Sequence, residues 1–323
     1  MKIKKLLHIG FGKTGTSKFQ KDVFPELCKK IDFLYVGDEE KSFSKEVLNI
    51  KHNLTNHVFK VMLGKQAGKI TIPDNCFISW EELSSYRDAN LIDEFAQKNC
   101  EAFGKDTPIL LTIREPREWL SSVYLQLCMH ETPLQQPEHF FLSDNHYSER
   151  LPNVKFNISK FSYKNTIKSY TDRFENVFVV KYESLNSLEF LKKIFDLSES
   201  NTLFLKKKLE YRRINRSFSK NSVYLRSKLG KFWNSFGFEH IHKYSNKLML
   251  ERSSNNFIKE NNNTIKKQNK LKIFHFKNVY QKFINNIFKY EKFQLDFEKL
   301  KQIPIKKLED EYSDIKSFNF FIK

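Results

Sequence analysis

Along the first two hundred positions, short apolar runs bounded by glycine, proline or charge alternate with amphipathic stretches. LLHIGF (6–11) has the length of a buried strand, and SKFQKDVFPEL (17–27) repeats its apolar residues at helical spacing. IDFLYVG (31–37) and NCFISW (75–80) read as further strands, the second running into the helical stretch EELSSYRDANLIDEFAQK. TPILLTIREP (107–116) predicts another strand. Pro116 then opens the helix REWLSSVYLQLCMH, because a fixed φ and a missing N–H suit a first turn. Residues 160–175 predict an amphipathic helix, and NVFVVKYESL (176–185) a strand followed by a turn. Strands alternating with helices predict an α/β fold, a mostly parallel sheet with helices on both faces. Ligands of such sheets lie beyond the carboxyl ends of the strands. The residues that carry chemistry gather at those ends: Lys13–Ser17, Ser79–Glu82 and Arg114.

Charge divides the chain in the same place as the pattern. Residues 1–200 hold 28 basic and 27 acidic side chains, a net of +1; residues 201–323 hold 28 and 11, a net of +17. The expected organisation is therefore a nearly neutral core over 1–200 and a basic, mostly helical C-terminal region over 201–323. Within the latter, ERSSNNFIKENNNTIKKQNK (251–270) reads as an exposed connector. KIFHFKNVYQKFINNIFKYEKFQLDFEKL (272–300) reads as an amphipathic helical pair. Its Lys-rich face suits an anionic membrane surface or a polyanionic substrate, and a simply solvated face accounts for it equally. The four cysteines, Cys28, Cys76, Cys100 and Cys128, form no C-x-x-C pair, which points to reduced thiols rather than a disulfide or metal framework. The apolar run at the N-terminus is too short for a signal peptide, and no run of about 18 apolar residues suggests a span. The expectation is a soluble, cytoplasmic protein, with peripheral attachment to a membrane left open.

The stretch GFGKTGTSKF (10–19) carries the first candidate chemistry. Gly10, Gly12 and Gly15 permit backbone conformations that other residues resist. A turn leading into a helix aims amides and the positive helix end at one spot, as phosphate requires. Lys13 adds a mobile charge, and Thr14, Thr16 and Ser17 add hydroxyls. The nucleotide-binding pattern G-x-x-x-x-G-K-[ST] is matched in its glycines, Gly10 and Gly15, but Thr16 stands where its Lys belongs. A second stretch, REPREWLSSVY (114–124), sets Arg114 at a strand end and Ser122 eight residues on, about two helical turns into the next helix. Arg forks onto phosphate while a hydroxyl donates from another side. Each stretch alone reads also as plain scaffolding: a ligand-free β–α turn, and a self-paired charged helix start. Together they point to a ligand with two separate anionic groups.

These two stretches resemble the cofactor motifs of sulfotransferases that use 3′-phosphoadenosine 5′-phosphosulfate (PAPS). GKTGTS resembles their 5′-phosphosulfate loop, K-[ST]-G-[ST]-[ST], and Arg114 with Ser122 resembles their 3′-phosphate motif. VFVVKYESL (177–185) is similar to a later strand and turn of the family, and IPIKKLEDEYSDI (303–315) is a weaker likeness near the end. The resemblance implies a P-loop-like three-layer sandwich and PAPS as co-substrate. It assigns Lys13 to the bridging oxygen and sulfuryl group and Thr14, Gly15, Thr16 and Ser17 to the 5′-phosphate, with Gly12 among the cofactor-binding residues of the loop. Arg114 and Ser122 fall to the 3′-phosphate. NRSFS (215–219) looks like a late cofactor-loop segment, which brings in Arg213, Arg216 and Ser217. ISWEELS (78–84) resembles a strand end bearing a catalytic acid in carbohydrate-type bacterial members, so Glu81 or Glu82 is the expected general base and a glycan, glycolipid or polysaccharide hydroxyl the expected acceptor. His52, His57 and His130 lack a comparable strand-end context. Trp80, Trp119 and Trp233 are open between stacking on a ligand and core packing. Two other readings remain at this point. A P-loop kinase of a small molecule explains the loop but not the place of Lys13. A nucleic-acid-binding protein explains the +17 but leaves both strand-end motifs idle, and with no recognised module in the sequence nucleic acid is not an expected partner.

Overall fold

In the computed structural model of the chain the described residues are 3–37, 45–62, 68–84, 91–128, 161–210, 292–300 and 303–322, with the single positions 89, 141 and 158. Six strands form one sheet: β1 (Lys5–His8), β2 (Leu34–Val36), β3 (Cys76–Ser79), β4 (Ile109–Ile113), β5 (Asn176–Lys181) and β6 (Phe318–Ile322), in the order β2-β3-β1-β4-β5-β6. The first five run parallel, and β6 lies antiparallel to β5 at the edge. Every residue of β3 and β4 is buried. Parallel strands covered on both faces need such continuous apolar runs. The helices are α1 (Thr16–Lys18), α2 (Phe24–Lys30), α3 (Lys45–Met62), α4 (Ile92–Phe103), α5 (Pro116–Cys128), α6 (Tyr163–Thr171), α7 (Glu189–Phe195), α8 (Glu199–Glu210) and α9 (Ile305–Asp314).

Strand register sorts the core into two layers. Leu6 stands opposite Phe77 and Leu110 opposite Phe178, so these side chains share one face. Phe19, Val23, Phe24 and Leu27 cover that face together with Phe190, Leu191 and Ile194 of α7 and Leu205 and Leu209 of α8. On the other face, Phe11 stacks on Trp119 at 5.5 Å, and Phe161 and Tyr163 close round both. Burying one such ring stabilises by roughly 1.5–3 kcal/mol, so the aromatic contacts beside the glycine-rich turn are a substantial brace.

The helix expected over 17–27 runs on to Lys30 but is interrupted by a π-helical turn, Phe19–Val23. Pro25 is the physical reason: it has no N–H for the carbonyl one turn back, and a wider turn absorbs the mismatch. The strand expected over 31–37 shortens to β2, because the chain leaves α2 through Asp32 in a left-handed conformation (φ 55°). Helices α3 and α7 and strand β6 have no counterpart among the sequence expectations.

By spatial clustering the chain forms two units: Met1–Trp119, Phe156–Asn215 and Lys301–Lys323 make the first, Leu120–Lys155 and Arg216–Leu300 the second. The C-terminal α9 and β6 thus belong with the sheet. Glu311 on α9 is buried and accepts from Ser162 Oγ (2.9 Å) and from the Tyr163 amide (2.8 Å) at the start of α6. A carboxylate at that end of a helix meets unpaired amides and the positive end of the dipole. In the second unit, Ser121 Oγ accepts from the Leu295 amide at 3.0 Å and Tyr124 stacks on Phe293. No helix among the described residues is long and apolar enough to cross a membrane. The segments 212–231, with Arg213, Arg216 and Ser217, and 251–270, most of 272–300, His130 and Trp233 lie outside the described residues.

Candidate functional site

The strand order creates one topological switch point. From β1 the chain crosses to β2 on one side of the sheet; from β4 it crosses to β5 on the other. The two strands are neighbours, and the turns at their carboxyl ends flank the place where ligands of open α/β sheets bind. Those two turns carry Gly10–Ser17 and Arg114.

The first turn leaves β1 still tied to β4, through Ile9 N to Leu110 O (3.0 Å) and Phe11 N to Thr112 O (3.2 Å). Lys13 (φ 71°) and Gly15 (φ 76°) are both left-handed. For a lysine that conformation is uncommon, and neighbours must hold it. Trp119 Nε1 donates to Gly12 O at 3.0 Å and Arg114 Nη1 to Lys13 O at 3.0 Å. Gly15 is required sterically as well: a Cβ there would meet Cε2 of Tyr182 at 2.3 Å. Left-handed residues alternating with others in a short turn make a concavity of amides suited to an anion.

Arg114 joins the loop from β4. Its guanidinium pairs with Glu118 (2.9 Å), lies 4.5 Å above the Tyr182 ring and is mostly buried, yet its Nε is buried without a hydrogen bond. A buried guanidinium N–H left without a partner is unusual in a folded protein. The Arg114 backbone is fixed too, its carbonyl accepting from Tyr163 Oη at 2.7 Å. Burial pushes the Tyr163 hydroxyl well above its ordinary pKa and keeps it a proton donor. Ser122, eight residues on along α5, is half-buried and belongs to the second unit.

Glu81 arrives from β3, whose register with β1 sets His8 opposite Ser79. It opens a short 3₁₀ turn, Glu81–Ser84, and its Oε1 accepts from Thr16 Oγ1. The carboxylate is therefore in direct contact with the loop. Glu82 lies in the same turn, and its side chain is outside what is described. Thr14 turns inward: fully buried, its hydroxyl donates to Phe11 O at 2.6 Å and lies 2.8 Å from Thr112 Oγ1. Ser17 is exposed at the start of the helix. Trp119 proves to be core, whereas Trp80 is half-buried, packs edge-on against Phe59 (5.2 Å) and keeps a buried Nε1 without a partner. His57 sits on α3 with its ring against Phe103.

Three residues of the site were not singled out in the sequence: His8, Thr112 and Tyr182. His8 is fully buried, 2.7 Å from Ser79 Oγ and 3.4 Å from Thr112 Oγ1, and burial lowers its pKa to about 3. A lone imidazole in an otherwise apolar strand just before a glycine turn is the signal that marks it. Tyr182, the first residue after β5, carried no such signal, because its role depends on which turn the sheet sets beside it. Cys76 is likewise buried, its thiol pushed up to about 12 and so kept unreactive. Among the described residues no three His, Cys, Asp or Glu side chains gather as a metal site.

Fold and site together define an α/β protein with a mostly parallel six-stranded sheet and a Lys-bearing glycine turn at its switch point. Comparisons with protein-family models, curated proteins and solved structures return no match to this chain.

Proposed function

We propose that the protein is a sulfotransferase that moves a sulfuryl group from PAPS to a hydroxyl of a carbohydrate-type acceptor. One observation carries the reading: three strand ends converge on one turn, with Glu81 bonded to Thr16 and Arg114 bonded to Lys13 O while keeping a buried, unpartnered Nε. A phosphosulfate loop, a separate phosphate-binding arginine and a base next to the loop are what the transfer requires. The leftover Arg114 N–H is the feature that fits the second anionic group of PAPS. On this reading the core is P-loop-like, the enzyme works in the cytoplasm, and the basic 201–323 region faces an anionic acceptor or membrane surface.

PAPS supplies an activated sulfuryl group bonded to a phosphate that leaves as part of adenosine 3′,5′-bisphosphate. Glu81 takes the proton of the acceptor hydroxyl, whose oxygen forms a bond to sulfur as the bond from sulfur to the 5′-phosphate oxygen breaks. Charge grows on that leaving oxygen, and a cation and amides already in place there favour the transition state without reorganisation. Lys13 is the cation. Thr16 holds the Glu81 carboxylate toward the loop, and Thr14, turned inward, shapes the turn.

Isothermal calorimetry tests the assignment. Adenosine 3′,5′-bisphosphate binds tighter than ADP or AMP, by roughly 10–100-fold if Arg114 contributes charge-assisted hydrogen bonds of about 1.5–3 kcal/mol. Arg114→Ala removes that preference. Equal affinities, or a preference for Mg-ATP, would refute the proposal and favour a small-molecule kinase.

A further inference from the structure

Beneath the loop, a line of polar side chains, buried except for half-buried Gln20, runs across the ends of three strands. Gln20 Nε2 lies 3.1 Å from Ser79 Oγ on β3; Ser79 Oγ is 2.7 Å from His8 Nδ1 on β1. His8 Nε2 is 3.4 Å from Thr112 Oγ1 on β4, and Thr112 Oγ1 is 2.8 Å from Thr14 Oγ1 in the loop. Ser79, His8, Thr112 and Thr14 are all fully buried.

The far end of the line sets its direction. Thr14 Oγ1 donates its hydrogen to Phe11 O, at 2.6 Å, and a carbonyl has none to return. Thr14 must then accept from Thr112, whose single hydrogen is thereby used. Thr112 accepts from His8 Nε2–H. A neutral imidazole has one N–H, so Nδ1 is an acceptor and Ser79 Oγ donates to it. Ser79 in turn accepts from the Gln20 amide. Ser79, His8, Thr112 and Thr14 each give one hydrogen and take one, and from Ser79 onward the bonds point from β3 toward the loop. Chains of that kind polarise along their length and strengthen each link. The space around the ring is fitted as closely. A Cβ on Gly10 would meet Thr112 Oγ1 at 1.8 Å and His8 Nε2 at 2.7 Å, and Phe24 covers the ring edge-on at 5.4 Å.

We propose that His8 is a positioning residue: its Nε2–H tautomer passes a one-way hydrogen-bond chain from the end of β3 to Thr14 and so fixes the Phe11–Gly15 turn. The chain ends on the Phe11 carbonyl, which also accepts from the Thr14 amide (3.4 Å), so both bonds close round left-handed Lys13. It starts at Ser79, two residues before Glu81. The loop and the base-bearing strand are thereby held in one register through an uncharged group that never meets substrate. The ligand side of this inference rests on the proposed function; the hydrogen-bond chain does not.

The test combines two measurements. In ¹⁵N–¹H spectra of the imidazoles, His8 stays as the neutral Nε2–H tautomer from pH 5 to pH 8, and Thr112→Val shifts its Nε2 resonance. An Nδ1–H tautomer, or a cationic His8 in that range, overturns the chain. In calorimetry with adenosine 3′,5′-bisphosphate, His8→Gln, which keeps a donor near the Nε2 position, binds within about threefold of wild type. His8→Asn and Thr112→Val weaken binding by about tenfold or more, the loss of one hydrogen bond's worth of positioning. Equal effects of His8→Gln and His8→Asn on affinity overturn the positioning role and leave only a structural one. If the bisphosphate does not bind wild type at all, the sulfotransferase reading falls, while the tautomer and its response to Thr112→Val still decide the chain.

Discussion

Gly15→Ala is the sharpest perturbation of the loop, because two separate costs can be worked out from its surroundings. At φ 76° an alanine pays the left-handed penalty of L-residues, about 1–2 kcal/mol. Its Cβ would also lie 2.3 Å from Tyr182 Cε2 and 2.8 Å from Cδ2, closer than atoms can stay. The ring cannot simply swing away, since the Arg114 guanidinium lies 4.5 Å above it. Forcing such a contact costs a further 1–3 kcal/mol or so. The total is about 2–5 kcal/mol, read as a drop in the urea midpoint followed by tryptophan fluorescence at unchanged slope. Repeating the substitution in a Tyr182→Ala background separates the two costs. With the ring gone only the backbone penalty remains, so the double-mutant cycle shows a coupling of about 1–3 kcal/mol. Gly68→Ala, where nothing lies within 4 Å of the added Cβ and φ is ordinary, serves as the control and stays within about 0.5 kcal/mol. Identical losses from Gly15→Ala in both backgrounds would show that Tyr182 does not brace the turn.

Two further outcomes follow from the same geometry. Glu81→Gln keeps an amide oxygen to accept from Thr16, so bisphosphate affinity changes little while sulfuryl transfer falls by roughly 10²–10⁴-fold; single-turnover assays with labelled PAPS check this, and an active variant would move the base elsewhere. The buried His8 also predicts an acid limb in stability. Above its ordinary pKa of 6.5 the ring is neutral folded or unfolded, and pH has no effect through it. Below that value the unfolded chain takes up a proton that the folded ring refuses until about pH 3, so stability falls as pH falls, by at most about 1.4 kcal/mol per pH unit. The side chains seen against the ring, Ser79, Thr112 and Phe24, are uncharged, so burial is the cause. His8→Gln flattens this limb in urea titrations from pH 7 to pH 4; parallel curves for the two proteins would contradict it.

Much of the core was legible one segment at a time. Five of the six strands, and the helices after Thr16, Ile92, Pro116 and Tyr163, sit where apolar period and Pro or Gly punctuation put them. Periodicity is a local property, and it reports whether a segment is buried on one face or two. The loop was legible for a related reason: glycine spacing and a lysine describe a backbone conformation within six residues. Left out of that reach were α3, α7, the π turn and β6. The last is a strand only because β5 offers it an edge, with Phe320 stacked on Phe178 at 4.3 Å.

By itself, then, the sequence determined an alternating α/β chain, a glycine turn with Lys13 ahead of Gly15, and an arginine at a later strand end. Tertiary structure alone decided what those features meet. Strand pairing joins residues dozens of positions apart, and nothing local in LLHIGF announces that β3 and β4 are its neighbours. Only that pairing sets Glu81 against Thr16, Arg114 against Lys13 O, and Tyr182 beneath Gly15. It also turns His8, Ser79, Thr112 and Thr14 into one directed chain, since a buried polar group must find its partners wherever the sheet brings them.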